Sequence, residues 1–279
     1  METVAPDAGT RPAKGHALRH RVRTLHVMAA AEYKLKYSGS ALGYVWSALK
    51  PLALFTMMYL VFGRVFKLGT ISPYYAVGLL IGIVLFTFFA DATLGGTYSL
   101  VSRESLLRKL VFPRTVIPTA ATLTAAITFA VNTAVVALFI AWKGIVPRLD
   151  WLLIPLLLLE LYVFVLGLSL ILSALFVRFR DIAQVWELAL QLIFYATPVI
   201  YPLSYLPPWA QSIEFVNPLT QVLQDIRALV FYDDPANVIT ATDALGPYGR
   251  LIPIAIVFAT VAIGLLVFKH DEPWFAERV

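Results

Sequence analysis

The sequence predicts an all-α, polytopic integral membrane protein with six transmembrane helices. Three observations carry that expectation. Apolar residues gather in six runs of membrane length. Of the 279 residues, 59% are hydrophobic and 14% charged, with a mean hydropathy of +0.78. The basic residues concentrate on one side of the alternating loops. A helix needs about 20 apolar residues to cross ~30 Å of hydrocarbon, so little chain is left for a soluble domain once the runs are counted.

Residues 1–15 are polar, contain Pro6, Gly9 and Pro12, and lack the apolar core of a cleaved signal, which predicts a disordered cytoplasmic tail. Over residues 16–43 the pattern turns amphipathic. Leu18, Val22, Leu25 and Met28 recur at helical spacing while Arg19, Arg23 and His26 take another face. This predicts an interfacial helix with snorkelling Arg stems; a topogenic basic segment without a partner fits the same residues. The small residues in Tyr37-Ser38-Gly39-Ser40-Ala41-Leu42-Gly43 then turn the chain into the first span. The transmembrane domain covers 44–268, with spans at 44–66, 74–101, 115–142, 149–177, 182–201 and 251–268, and residues 269–279 form a cytoplasmic tail.

Sixteen of the Lys and Arg residues fall on the side of the termini and six (Arg64, Lys67, Lys143, Arg148, Arg227 and Arg250) on the other. The positive-inside rule therefore puts both termini in the cytoplasm; the membrane expected to hold the chain is the cytoplasmic one. The net charge of +5 follows from topology and anionic headgroups, with no basic stripe for nucleic acid. Cysteine is absent, which excludes disulfides and thiolate metal sites.

Two cytoplasmic loops combine charge with apolar and aromatic residues. Residues 103–114 read as a short amphipathic helix stopped by Pro113, with Leu106, Leu107 and Leu110 beside Arg103, Glu104, Arg108 and Lys109. The 178–184 loop offers Arg178, Phe179, Arg180 and Asp181. Together they predict a docking surface, although ordinary topogenic charge explains the same residues. On the opposite side, residues 202–250 form an extracellular segment broken by Pro202, Pro207, Pro208 and Pro218. Within it, 219–231 has the length of a re-entrant or interfacial helix.

Inside the spans, Phe55, Tyr59, Phe62 and Phe66 share one face of the first helix, three turns from Tyr44. Gln184, Glu187, Gln191 and Tyr195 share one face of the fifth. An ionisable group at membrane depth usually faces a bundle interior or a water-filled path. An aromatic wall and a polar wall suit a sugar, whose ring has apolar C–H faces and hydroxyl edges. Helix packing or lipid contact also explains the aromatics, and explains any single one of them more simply; Glu187 near the headgroups would be solvated. Asp91 and Glu160 could mark a proton relay, but no intramembrane His, Lys or Arg offers an obvious partner, and a structural role as acceptors for neighbouring helices fits them better. The Thr-rich third span, with Thr119, Thr122, Thr124, Thr128, Asn132 and Thr133, predicts close helix packing. No phosphate loop, H-E-x-x-H or G-x-S-x-G motif occurs, and the four His residues at 16, 20, 26 and 270 lie outside the spans. The sequence thus offers a conduit without an engine.

Five motifs in order carry a resemblance: Tyr37-x-x-Ser40-x-Leu42-Gly43-x-x-Trp46-x-x-Leu49-x-Pro51-Leu52; Leu110-Val111-Phe112-Pro113-Arg114 with Ile117-Pro118; Arg180-Asp181-Ile182; Thr197-Pro198-Val199-Ile200-Tyr201-Pro202; and Asn217-Pro218 with Arg227. Across roughly 16–270 the chain resembles the membrane subunit of ABC exporters of cell-surface polysaccharides, such as O-antigen and teichoic-acid permeases. The resemblance implies a homodimer of six-helix subunits paired with two copies of a separate ATPase that carries the ATP and magnesium, with no cofactor on this chain. It implies a lipid-linked glycan as cargo and membrane lipids as surroundings. ATPase coupling is implied at Arg103, Glu104, Leu107, Arg108, Phe112, Arg114, Arg178, Arg180 and Asp181. A channel lining is implied at Phe55, Tyr59, Phe62, Glu187, Gln191 and Tyr195. A related permease for a small molecule or drug is the alternative; an integral membrane transferase would need a convergent catalytic acid or His that the sequence does not offer.

Overall fold

The structure is a computed structural model that describes residues 45–70, 72–104, 113–232, 234 and 238–275. The predicted tail at 1–15, the interfacial helix at 16–43, and Leu107, Arg108 and Phe112 lie outside the described residues. Among the described residues every regular element is a helix.

Helix α1, Val45–Met58, continues as a π-helical turn over Tyr59–Val65. The following helices are α2, Tyr75–Ser99; α3, Val116–Trp142; α4, Ile154–Arg178; and α5, Ile182–Ala196. Three short helices, α6 (Pro208–Glu214), α7 (Pro218–Val230) and α8 (Ala241–Leu245), precede α9, Leu251–Asp271. Five of the described helical stretches are long and apolar enough to cross a membrane: Val45–Val65, Tyr75–Ser99, Val116–Trp142, Leu149–Arg178 and Leu251–Trp274. The remaining predicted span, 182–201, is helical only through Ala196. Proline at 198 disfavours the α-conformation of its predecessor, and Thr197 is extended, at φ −65° and ψ 137°. The resulting 15-residue helix is about 22 Å long at ~1.5 Å per residue.

The ends of the helices sort onto two faces. Leu100, Ile117, Leu170, Ala174, Val177, Phe268 and Phe275 form one apolar cluster, which gathers the ends of α2, α4 and α9 with the start of α3. We call this the basic face, after the loops it carries. The opposite, distal face holds the start of α2 and the segment from α6 to α8.

Helices α2 and α4 form the centre, with α3 against α2, α9 against α4, and α1 and α5 at the rim. Close approach depends on small residues, as expected where lipid supplies no hydrophobic drive between helices. A Cβ built on Gly264 of α9 would lie 2.6 Å from the Gly167 carbonyl oxygen of α4, so the two backbones touch there. The Thr-rich third span packs closely on α2, as its composition predicts, with Thr122, Thr124, Thr128 and Asn132 buried; the hydroxyls of Thr119, Thr124, Thr128 and Thr133 donate to carbonyls one turn earlier.

Candidate functional site

At the basic face the described ends of the 103–114 loop, Arg103, Glu104, Pro113 and Arg114, lie on the same side of the bundle as the 178–184 loop. Burial draws the Arg103 guanidinium below the usual arginine range, and Glu104 beside it is exposed. Arg114 donates to the carbonyl of Glu272, which ties the start of α3 to the end of α9. In the second loop, the Arg178 guanidinium stacks 5.0 Å from the Phe179 ring and that of Arg180 5.4 Å from Phe176. Phe179 is extended, ends α4, and is 51% exposed. Asp181 sits immediately before α5 and is exposed. Only two residues, Arg180 and Asp181, then separate Phe179 from α5.

Helix α5 has two unlike faces. Ala183, Trp186, Leu190 and Phe194 recur at helical spacing and pack inward. The Trp186 indole donates to Thr93 Oγ1 at 3.0 Å, and Phe194 meets Phe86 edge-on at 4.9 Å. The opposite face presents Gln184, Glu187, Gln191 and Tyr195, all exposed, together with exposed Val185, Leu188 and Leu192. Glu187 Oε1 accepts a hydrogen bond from Tyr98 Oη of α2 at 3.0 Å.

On α1, Phe55 stacks on Tyr59 with ring centroids 5.8 Å apart and meets Phe139 of α3 edge-on at 5.7 Å. Phe62 stacks on Phe66 at 5.4 Å. Phe55, Tyr59 and Phe62 are half-buried against the main core. The π-helical turn begins within this stripe, at Tyr59, an irregularity that often accompanies functional sites. No apolar periodicity distinguishes it in the sequence. Within one chain, α1 packs on α2 and α3, whereas α5 packs on α2 and α4. The aromatic and polar stripes therefore flank α2 and are not brought together in a single subunit.

At the distal face the structure joins two of the sequence motifs. Arg227 of α7 is buried. One of its terminal nitrogens donates to the carbonyl of Pro198 at 2.7 Å and to Gln224 Oε1 at 3.3 Å; the other donates to the carbonyls of Gly78, at 2.9 Å, and Val199, at 3.0 Å. Asn217 caps α7 by accepting from the Leu219 N–H at 3.0 Å, with Pro218 at the first helical position. Its amide donates to Thr197 Oγ1 at 3.2 Å. The Tyr75 hydroxyl donates to the Ile200 carbonyl at 2.9 Å. Residues 197–200 leave helical geometry, and these side chains satisfy the carbonyls that the break exposes. A second network lies beside it: Asp225 accepts from Gln221 at 2.6 Å and pairs with Arg250 at 2.7 Å. The sequence marked Arg227 and Asn217 by motif alone; their partners lie too far along the chain for periodicity to find.

These features define a multi-helix membrane bundle with small-residue seams, one loop-bearing basic face and a stapled distal cap. Residues 23–231 match the ABC-2 type transporter family, and the chain belongs to that family. Among curated relatives, it is 31% identical over 254 residues to the O-antigen export system permease protein RfbA of Klebsiella pneumoniae, covering 91% of this chain and 93% of that protein. It is 29% identical over 250 residues to the protein of the same name from Myxococcus xanthus, covering 89% and 92% respectively. The protein is thus a multi-pass membrane protein.

Proposed function

We propose that this chain is the permease subunit of an ATP-driven exporter that passes a lipid-linked cell-surface polysaccharide across the cytoplasmic membrane, both termini facing the cytoplasm. Two copies work with two copies of a separate ATPase. Similarity to O-antigen export permeases along nearly their whole length supports the cargo class. One observation carries the architecture: the outward faces of α1 and α5 are uncovered. Met57 is 62% exposed, Leu192 64% and Tyr195 62%. A second copy placed against this rim would bring the α1 aromatics of one subunit near the α5 polar stripe of the other. The passage would then lie between subunits.

The chemistry suits a glycan. Phe55, Tyr59 and Phe62 offer ring faces for sugar C–H surfaces, while Glu187, Gln191 and Tyr195 offer hydrogen-bonding edges for hydroxyls. ATP binding would close the ATPase pair beneath the basic face. A push on Phe179, Arg180 and Asp181 passes directly into α5, because the connection from α4 is so short. Arg103, Glu104, Leu107, Arg108, Phe112 and Arg114 would form the second contact, with Arg178 flanking the first.

The chain has no cysteine, so single-cysteine variants report contacts cleanly. Leu192→Cys in membranes is expected to form disulfide-linked pairs on mild oxidation, whereas Ile252→Cys on α9 is not. Absence of pairs at Leu192, Tyr195 and Met57 alike would overturn the two-copy passage.

A further inference from the structure

Near the distal face, α2, α3, α4 and α7 part to leave a cavity of about 290 Å³, walled by residues that include Val84, Phe129, Val136, Ile140 and Leu158. Its position is set by the chain: the α3 wall lies in the last half of that helix, and the α4 wall in the first turns of α4. It is therefore confined to the distal leaflet, between helices that do not carry the α1 and α5 stripes.

Two of its lining side chains have polar atoms, and both are already bonded elsewhere. Thr133 Oγ1 donates to the Phe129 carbonyl at 2.9 Å, and the Trp151 indole donates to the Leu229 carbonyl at 3.0 Å. A buried water needs two to four polar partners, and apolar cavities stay dry or take hydrocarbon. An apolar cavity of ~150 Å³ takes a benzene, so this space, about twice as large, holds on the order of ten chain carbons.

The rim supplies the other half of an amphiphile's requirements. The segment that contributes Ile145 and Pro147 to the wall also carries Lys143 and Arg148. Lys143 Nζ lies 5.3 Å from the Trp142 ring centroid. The Arg148 guanidinium lies 4.4 Å from that of Tyr232 and 3.8 Å from Asp150, with its side chain 49% exposed. Trp and Tyr at this level mark the headgroup region, so the two cations stand where lipid phosphates lie. We propose that this cavity binds one hydrocarbon chain of a phospholipid with an anionic headgroup, whose phosphate rests against Lys143 and Arg148. The site is separate from the passage and does not depend on the cargo.

The test reconstitutes the full chain in phosphatidylcholine nanodiscs. These contain trace phosphatidylglycerol, or trace phosphatidylcholine, with a photoactivatable group on the acyl chain; labelled peptides are then mapped. The phosphatidylglycerol probe is expected to label 129–141 and 154–158 preferentially, losing about fivefold per cation in Lys143→Gln and Arg148→Gln. Ala137→Trp, which fills the space, should abolish that labelling while labelling of exposed α9 residues persists, which reports an intact fold. Ala141→Phe is the milder second variant, with a partial loss. Equal labelling by the two headgroups, or labelling indifferent to both filling variants, would overturn the proposal. So would displacement of the probe by a polyprenyl phosphate at equimolar concentration, or a disulfide between two copies carrying Ala137→Cys.

Discussion

Helices α1 and α2 are both apolar and both long enough to cross a bilayer, yet 78% of the apolar stretch of α2 is buried within the chain and 11% of that of α1. Hydrophobicity alone does not separate them. What separates them is the residue type at the contacts. Helix α2 places Gly96 where a Cβ would meet Ser169 at 2.5 Å, and it receives hydrogen bonds from Trp186, Ser169 and Arg227. Helix α1 presents Val45, Met57, Val65 and Phe66 outward. The lesson is that the centre is fastened by small and polar groups aimed at known partners, while the rim, α1 and α5, keeps surface for something outside the chain.

The sharpest way to break this contrast is at the distal staple. Arg227→Ala strips buried carbonyls of Gly78, Pro198 and Val199 of their guanidinium donors. Each buried group left unsatisfied costs ~1–3 kcal/mol, so a loss of at least about 3 kcal/mol is expected, read as a lower thermal midpoint in detergent. Next is Gly264→Leu. The side chain must displace the α4 backbone at Gly167, and overpacking of this kind costs about 1–3 kcal/mol.

The rim should behave oppositely. Tyr195→Ala at an exposed site is expected to change stability by no more than ~0.5 kcal/mol. Combined with Tyr59→Ala it should nonetheless impair polysaccharide export while ATP hydrolysis survives, measured in complemented cells with insertion level and ATPase rate alongside. Unchanged export at equal insertion would return the stripes to plain packing.

The smallest expected effect concerns Glu214, half-buried in α6, whose carboxyl accepts from Thr220 Oγ1 at 3.1 Å. Burial raises its pKa above the ordinary 4.5, with the Thr220 hydrogen bond opposing. The folded state therefore holds the proton more tightly than the unfolded one. The associated stability is present below pH 4.5 and lost as pH rises through the folded pKa. Glu214→Gln is expected to raise the thermal midpoint at pH 7, with the gain vanishing below pH 4.5.

Local signals are legible in the sequence: five spans match described helices to within a few residues, whereas the span expected over 182–201 ends at Ala196 because Pro198 holds Thr197 extended, an effect hidden by the apolar run around it. Partners distant along the chain were not. Periodicity shows that Phe55 and Tyr59 share a face, but not that Phe139 meets that face, nor that α2 stands between α1 and α5. The π-turn at Tyr59–Val65 escaped because one widened turn leaves an i, i+4 pattern readable. Residues 219–231 have the length of a re-entrant or interfacial helix, and α7 covers nearly that range; what the sequence does not show is its burial, from Pro218 through Arg227.

The bond from Arg227 to Gly78 joins residues 149 positions apart, and this orders events during synthesis. At ~5–20 residues per second, a ribosome takes roughly 7–30 s to travel between them. For that interval α2 is already made while the guanidinium that fastens its distal end does not yet exist. The early helices α2 and α3 can already pack on each other, but closure of the distal cap is a late event in biogenesis. A chain truncated before residue 227 could insert most of its spans and still never lock.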